Sequence, residues 1–199
     1  MLKSSHTIDL VEAGCDEVGR GCLAGPVVAA AVILPKNYTH GSLNDSKQLN
    51  REEREELARE IQQDALSWAI AEVGNEEIDK TNILKASFKA MHLALGKLST
   101  KPDLLLIDGN RFQPYGEFKF ECIVKGDATY LSIAAASVLA KTYRDALMTK
   151  LSGQYPGYGW EHNVGYPTEE HRDGIRSLGI TPYHRRSFQL LPSQLGLFT

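Results

Sequence analysis

Four consecutive aliphatic residues, Leu104-Leu105-Leu106-Ile107, stand between Asp103 and the Asp108-Gly109 pair. A run without polar alternation that stops at a turn suits a strand covered on both faces. Val27 to Leu34 is apolar and largely β-branched in the same way, and Thr7 to Cys15 is a shorter apolar stretch. Gly14 near the end of the first stretch, then Gly19, Gly21, Gly25 and Pro26 before the second, predict two strands joined by a structured Gly-rich loop. Trp68 to Val73 and Phe118 to Val124 are further strand candidates. Helical patterns fill the gaps. Asn50 with Glu53 resembles a capping box, and Leu57, Ala58, Ile61 and Ala65 follow at helical spacing. Leu84, Phe88, Met91, Leu95 and Leu98 form a second stripe, which reads as core. Tyr130 to Lys150 is an Ala-rich helix expected to end at Ser152-Gly153. Strands interleaved with helices predict an α/β fold. From Gly153 onward Gly, Pro, Tyr and His dominate, with a short helix expected at Thr168 to Leu178, so the sequence predicts a small C-terminal helical appendage.

Composition narrows the class. With 42% hydrophobic and 24% charged residues in 199, the chain suits one globular domain and not a disordered or collagen-like polymer. The longest apolar run is too short to span a bilayer and no leader pattern opens the chain, so the expected setting is the cytoplasm, without a membrane. Three cysteines without CxxC spacing argue against a disulfide framework and a cysteine zinc site. The net charge of −3, from 22 basic and 25 acidic residues, leaves nucleic acid open, because binding depends on a local basic surface. A monomer is the default.

Asp16, Glu17, Asp108 and Asp127 stand where predicted strands finish or a helix begins. Each has an ordinary explanation: a polar loop for Asp16-Glu17, a turn for Asp108-Gly109, a helix cap for Asp127. Together they suggest more. Ligand sites in α/β sheets form where strand ends converge, and the first strand and the Leu104 to Ile107 strand are candidates for adjacent central positions. Three or four carboxylates in a confined space need protons or cations, and hard oxygen donors suit Mg²⁺ or Mn²⁺ better than zinc.

The run from Asp16 to Ala30, DEVGRGCLAGPVVAA, resembles the opening motif of the ribonuclease HII family. Matching words follow in order: Asn44-Asp45-Ser46-Lys47, Leu106-Ile107-Asp108-Gly109, Lys125-Gly126-Asp127, Ile133 to Ser137, Ala140-Lys141, Arg144-Asp145 and Gly165-Tyr166-Pro167-Thr168. The correspondence runs from about residue 8 to residue 188. The sister ribonuclease HIII family shares the opening words but carries an additional N-terminal substrate-binding domain, for which little chain precedes the first strand here. Val18 and Cys22 depart from the commonest wording, where Ala and Pro are frequent.

The resemblance implies a ribonuclease H-like mixed sheet flanked by helices. It divides the chain into a catalytic core (1–152), an appendage that contributes to substrate binding (153–188) and a tail (189–199). The implied activity is an endonuclease that cuts the RNA strand of RNA/DNA hybrids and incises at single ribonucleotides in duplex DNA, leaving 3′-hydroxyl and 5′-phosphate ends. Asp16, Glu17, Asp108 and Asp127 become the catalytic metal ligands for Mn²⁺ or Mg²⁺, two ions being expected with substrate. Gly19, Arg20, Gly21 and Tyr166 match the family's substrate-sensing residues; a tight turn and a packing tyrosine are the plain alternatives. Lys47, Lys125, Lys141 and Arg144 are candidate phosphate contacts. His162, His171 and His184 lack metal-site spacing and read as packing or surface residues. The ending Gln194-Leu195-Gly196-Leu197-Phe198-Thr199 is similar to the peptide by which bacterial repair proteins bind the sliding clamp; Gln194, Leu195, Leu197 and Phe198 match, while packing back onto the domain is the other option.

Overall fold

The computed structural model describes residues 2–45 and 49–192, with the side chains of 44 and 45 left aside. Lys47 and the whole of Gln194 to Thr199 therefore lie outside the described residues. Five strands form one mixed sheet in the order β3-β2-β1-β4-β5: β1 (Glu12–Val18), β2 (Val27–Ile33), β3 (Ser67–Val73), β4 (Leu104–Asp108) and β5 (Lys119–Ile123). The first three pair antiparallel, while β4 lies parallel to β1 and to β5. The first strand and the aliphatic run are thus neighbours, as expected.

The first strand begins later than Thr7. Residues 7–10 form a turn in which the Glu12 carboxylate accepts from the His6 and Thr7 amides, and pairing with β2 continues through Glu17↔Ala29 and Val18↔Val28. Asp16 and Glu17 are consequently strand residues and not a loop.

Every residue of β2 is buried because helices cover both faces. On one side α3 (Ile83–Gly96) packs through Ala86, Ala90, Met91, Ala94 and Leu95 onto Ala13, Ala29 and Ala31. The buried face is centred on alanines, so helix and sheet approach closely, and the larger Leu84 and Phe88 are displaced to its flank. On the other side α1 (Arg51–Asp64), opened by the expected capping box on Asn50 and Glu53, packs with α4 (Leu131–Gln154) against Val28, Ala30 and Val32.

Helix α4 is buried around most of its first ten residues, with small residues on its sheet side. A Cβ at Gly14 on β1 would overlap the Ser132 backbone, so only glycine permits this approach. The helix runs through Gly153 instead of stopping there, and its last bond is Tyr155 N–H to the Leu151 carbonyl. Packing of Leu151 outweighs the roughly 1 kcal/mol propensity cost of an internal glycine.

Beyond α4, the short helices α5 (Trp160–Asn163) and α6 (Glu169–Leu178) pack on it and on Leu23 and Ala24 through Tyr158, Trp160 and Ile175. Another short helix, α2 (Asn75–Lys80), precedes α3; it and α5 are too brief to leave a periodic signal. No described helix is long and apolar enough to cross a membrane.

Candidate active site

Parallel pairing matches Cys15 to Ile107, so the next step along both strands sets Asp16 beside Asp108 at the same end of the sheet. Side chains alternate along a strand. Asp16 accordingly shares a face with Gly14 and Asp108 with Leu106, both toward α4, while Glu17 shares the α3 face with Cys15.

These carboxylates feel one another. Burial pushes the Asp16 carboxyl up to about 8, and the nearby Asp108 and Glu17 charges push in the same direction; hydrogen bonds from Ser137 and from the Glu17 amide (2.7 Å) oppose them. Glu17 is also raised, by burial first and Asp108 after it, against the pull of Arg20, whose Nη1 donates to Glu17 Oε1 at 2.9 Å. Asp108 Oδ1 accepts from the Gly126 amide at 2.7 Å. That bond ties the end of β4 to a single turn of 3-10 helix, Gly126–Ala128, which carries half-buried Asp127. Lys125 enters this turn with φ 58° in the left-handed region and is exposed.

Glu17, Asp108, Arg20 and Arg111 line a cleft of about 310 Å³ whose apolar wall is Leu84, Phe88 and Met91. The α3 stripe read as core thus also furnishes one wall of the site. Among the described residues no three His, Cys, Asp or Glu side chains are grouped closely enough to hold a cation between them. The donor set is all hard oxygen, because the Cys15 thiol is buried in the α3 core.

Two buried arginines hold the loop between β1 and β2. Arg144 Nε and Nη2 donate to the Pro26 and Ala24 carbonyls, both at 3.0 Å, and Nη1 to Val164 at 2.8 Å. Arg185 donates to Gly25 (3.0 Å), Arg20 (2.9 Å) and Gly19 (2.6 Å). The expectation that Arg144 contacts phosphate is corrected: it is fully buried and its donors are spent on backbone carbonyls. A buried cation satisfied by carbonyls looks, in sequence, like a surface one. Arg185 gave no signal as a loop clamp for the same reason. Lys141 is a partly exposed ion-pair partner of Asp145.

Gly19 adopts φ 90° directly over Arg144, where a Cβ would meet the guanidinium, whereas a Cβ at Gly21 would enter open space. With the loop carbonyls of Gly19 and Arg20 turned inward to Arg185, the exposed side of this turn is left to amides and the Arg20 side chain. Tyr166 is partly exposed and sits by Cys22, its phenol raised by burial and by the Cys22 thiol. Gly165, at φ 87°, packs on the Ala24 carbonyl, and Leu23 N–H donates to the Gly165 carbonyl at 2.8 Å. His162 is exposed, while His171 and His184 are wholly buried, in keeping with the packing reading.

The sequence profile of the ribonuclease HII family matches residues 13–191. The chain belongs to the ribonuclease HII family. Ribonuclease HII of Parabacteroides distasonis is 59% identical over 187 residues, covering 94% of each chain, and that of Cytophaga hutchinsonii is 57% identical over 198 residues, covering 99% of this chain and 98% of the other. Among solved structures, the ribonuclease H2 of Pyrococcus horikoshii superimposes with a TM-score of 0.74 at 26% identity, over 90% of this chain and 94% of that one. The ribonuclease HII in the PCNA complex from Archaeoglobus fulgidus gives 0.76 at 26% identity, over 94% and 98%. A ribonuclease HII is a ribonuclease H-type endonuclease, a phosphodiester hydrolase, and the mixed α/β sheet here is the ribonuclease H-like fold.

Proposed function

We propose that this enzyme nicks the RNA strand of RNA/DNA hybrids and incises duplex DNA at single ribonucleotides, leaving 3′-hydroxyl and 5′-phosphate ends. The observation that carries the proposal is the placement of Asp16 next to Asp108, one step beyond the last paired residues of adjacent parallel strands, close enough for their charges to interact.

Asp16, Glu17, Asp108 and Asp127 are the residues that would hold divalent ions. The donor set fits: hard carboxylate oxygens, with Asp16 driven up to about 8 by burial first and then by the Asp108 and Glu17 charges, which a cation would neutralise. Bound Mg²⁺ or Mn²⁺ would supply an activated water and charge neutralisation at the phosphate. A ribonuclease HIII relative at 23% identity was solved with Mn²⁺.

The chain's own residues do the selecting. Amides of the Gly19–Gly21 turn address a phosphate and a sugar 2′-hydroxyl, the one group that distinguishes RNA from DNA. Arg20 and Lys125 neutralise phosphate charge from either side of the carboxylates. The Tyr166 ring packs on a sugar or base while its hydroxyl bonds nearby. Residues 153–188 serve as the substrate-binding appendage on the 1–152 core. Lys47 and the 194–199 tail enter this reading on sequence grounds, the tail as a docking peptide for the bacterial sliding clamp; the Archaeoglobus relative was solved with PCNA. The enzyme acts in the cytoplasm as a monomer.

Nicking of a duplex containing one ribonucleotide, measured with Mg²⁺, with Mn²⁺ and with chelator, tests the reading. A metal-dependent nick whose upstream fragment primes a polymerase is expected. Chelator-resistant cutting, or full activity of Asp108→Asn, would sink it.

A further inference from the structure

Behind Tyr166 lies a polar cluster that none of the roles above uses. His171, His184 and Trp160 are all fully buried. His171 Nδ1 lies 2.9 Å from the Tyr166 carbonyl, which can only accept, so this nitrogen carries the proton. Its Nε2 accepts from Trp160 Nε1–H at 2.9 Å and faces His184 Nε2 at 3.1 Å. His184 Nδ1 accepts from the Thr181 amide at 2.8 Å, which puts the His184 proton on Nε2, pointing at His171. Neutral rings satisfy every contact, and a further proton on either would set N–H against N–H. Burial lowers the basicity of both rings, that of His184 to about 4.

The far end of this chain of bonds is the substrate loop. His184 forms an antiparallel bridge with Ala24; Tyr183 accepts from Gly25 N–H at 2.9 Å and Arg185 N–H donates to Leu23 at 2.8 Å. The Arg185 side chain then grips Gly19 and Arg20. Tyr166 itself follows Val164, a β-branched residue held at φ 43°, a strained conformation that needs support from its surroundings.

We propose that His171 is a positioning residue whose bond to the Tyr166 carbonyl fixes Tyr166 relative to the Gly19–Gly21 turn and so sets the preference for a lone ribonucleotide over continuous RNA. The proposal rests on the substrate roles given above to Tyr166 and the glycine turn.

Paired substitutions separate positioning from bulk packing. The amide of Asn reaches the Nδ1 position and can still donate to the Tyr166 carbonyl. The amide of Gln reaches the Nε2 position and keeps Trp160 and His184 but loses the donor to the Tyr166 carbonyl, which is then held by the Thr168 amide alone (2.8 Å). Rates on single-ribonucleotide duplex and on RNA/DNA hybrid, with kcat and KM resolved, are compared with melting temperatures. His171→Gln is expected to lower the single-ribonucleotide to hybrid rate ratio about tenfold, the scale of one lost hydrogen bond, while His171→Asn stays within about twofold. Equal losses in both variants, or a wild-type ratio in His171→Gln, overturn the proposal. Should His171→Gln not fold, His171→Met, which also lacks a donor at the Nδ1 position, must lower the same ratio or the proposal falls. Tyr166→Ala is run alongside. If it leaves the ratio unchanged, the reading of Tyr166 fails and takes this proposal with it; if it lowers the ratio while His171→Gln does not, only this proposal fails.

Discussion

Arg144 Nη1 donates to the Val164 carbonyl at 2.8 Å, so helix α4 directly supports the strained residue two positions before Tyr166. The same guanidinium holds Ala24 and Pro26. Arg144→Met would leave three carbonyls facing an apolar side chain, a loss of about 3–5 kcal/mol by analogy with broken buried ionic networks. Arg144→Lys keeps the charge but cannot fork to three acceptors, and should fall between. Thermal unfolding checks this: a melting temperature of Arg144→Met within about 2 °C of wild type would contradict it, since each kcal/mol moves a chain of this size by roughly 2–4 °C.

Two glycines make opposite demands. A Cβ at Gly14 would overlap the Ser132 backbone, where neither strand nor helix can give way cheaply. Gly14→Ala should cost about 2–4 kcal/mol through overpacking and lose activity with the fold. A Cβ at Gly21 meets nothing, so Gly21→Ala should melt within about 0.5 kcal/mol of wild type while cutting more slowly, because the methyl stands where a sugar-phosphate must come close. Melting curves and nicking rates on the same preparations decide. An active, stable Gly14→Ala refutes the packing argument, and an unimpaired Gly21→Ala refutes the loop's role.

Much of this arrangement was legible before any coordinates. Leu104 to Ile107 announced a buried central strand, and Asp108 after it announced the strand end, because period and punctuation are local signals. Neighbouring positions for β1 and β4 followed from the logic of α/β sheets. What was missed are partnerships that only the fold creates. Arg144 carries the same letter whether it meets phosphate or three carbonyls. Leu84 and Phe88 fit a core stripe, but the sheet's alanines admitted Ala86 and Ala90 instead and turned the larger pair toward the cleft. Arg185 bonds to backbone some 160 residues away, and backbone has no alphabet.

Asp16 makes the metal-free protein sensitive to pH. Its carboxyl titrates at about 8 in the fold against 3.8 as the ordinary value, so between those limits the native state holds a proton that the unfolded chain has released. Stability contributed at this position therefore falls as pH rises through the window. In chelator, Asp16→Asn should lose less stability than wild type between pH 5 and pH 8, with a gain on the order of 1–3 kcal/mol at the upper end. With Mg²⁺ or Mn²⁺ the same variant should cut at least roughly 10²-fold more slowly. Parallel stability curves would mean that Asp16 is already ionised in the fold.

His184 produces the opposite slope. Burial and the neighbouring His171 hold its ring neutral down to about 4, whereas in the unfolded chain it takes a proton near 6.5. Between those values the unfolded state binds more protons, so this contribution is complete above 6.5 and is lost as pH falls toward 4. The contact with Thr181 gives the same sign, because its amide N–H needs the unprotonated Nδ1. His184→Gln removes the titration and keeps a donor toward His171. Its stability relative to wild type should therefore improve by about 1–3 kcal/mol between pH 7 and pH 4.5, whatever the baseline cost of the substitution. Because Asp16 is present in both proteins, its own slope cancels in the difference. Two curves that stay parallel over that range would show that the buried ring is charged in the native enzyme, and the tautomers assigned to His171 and His184 would fall with it.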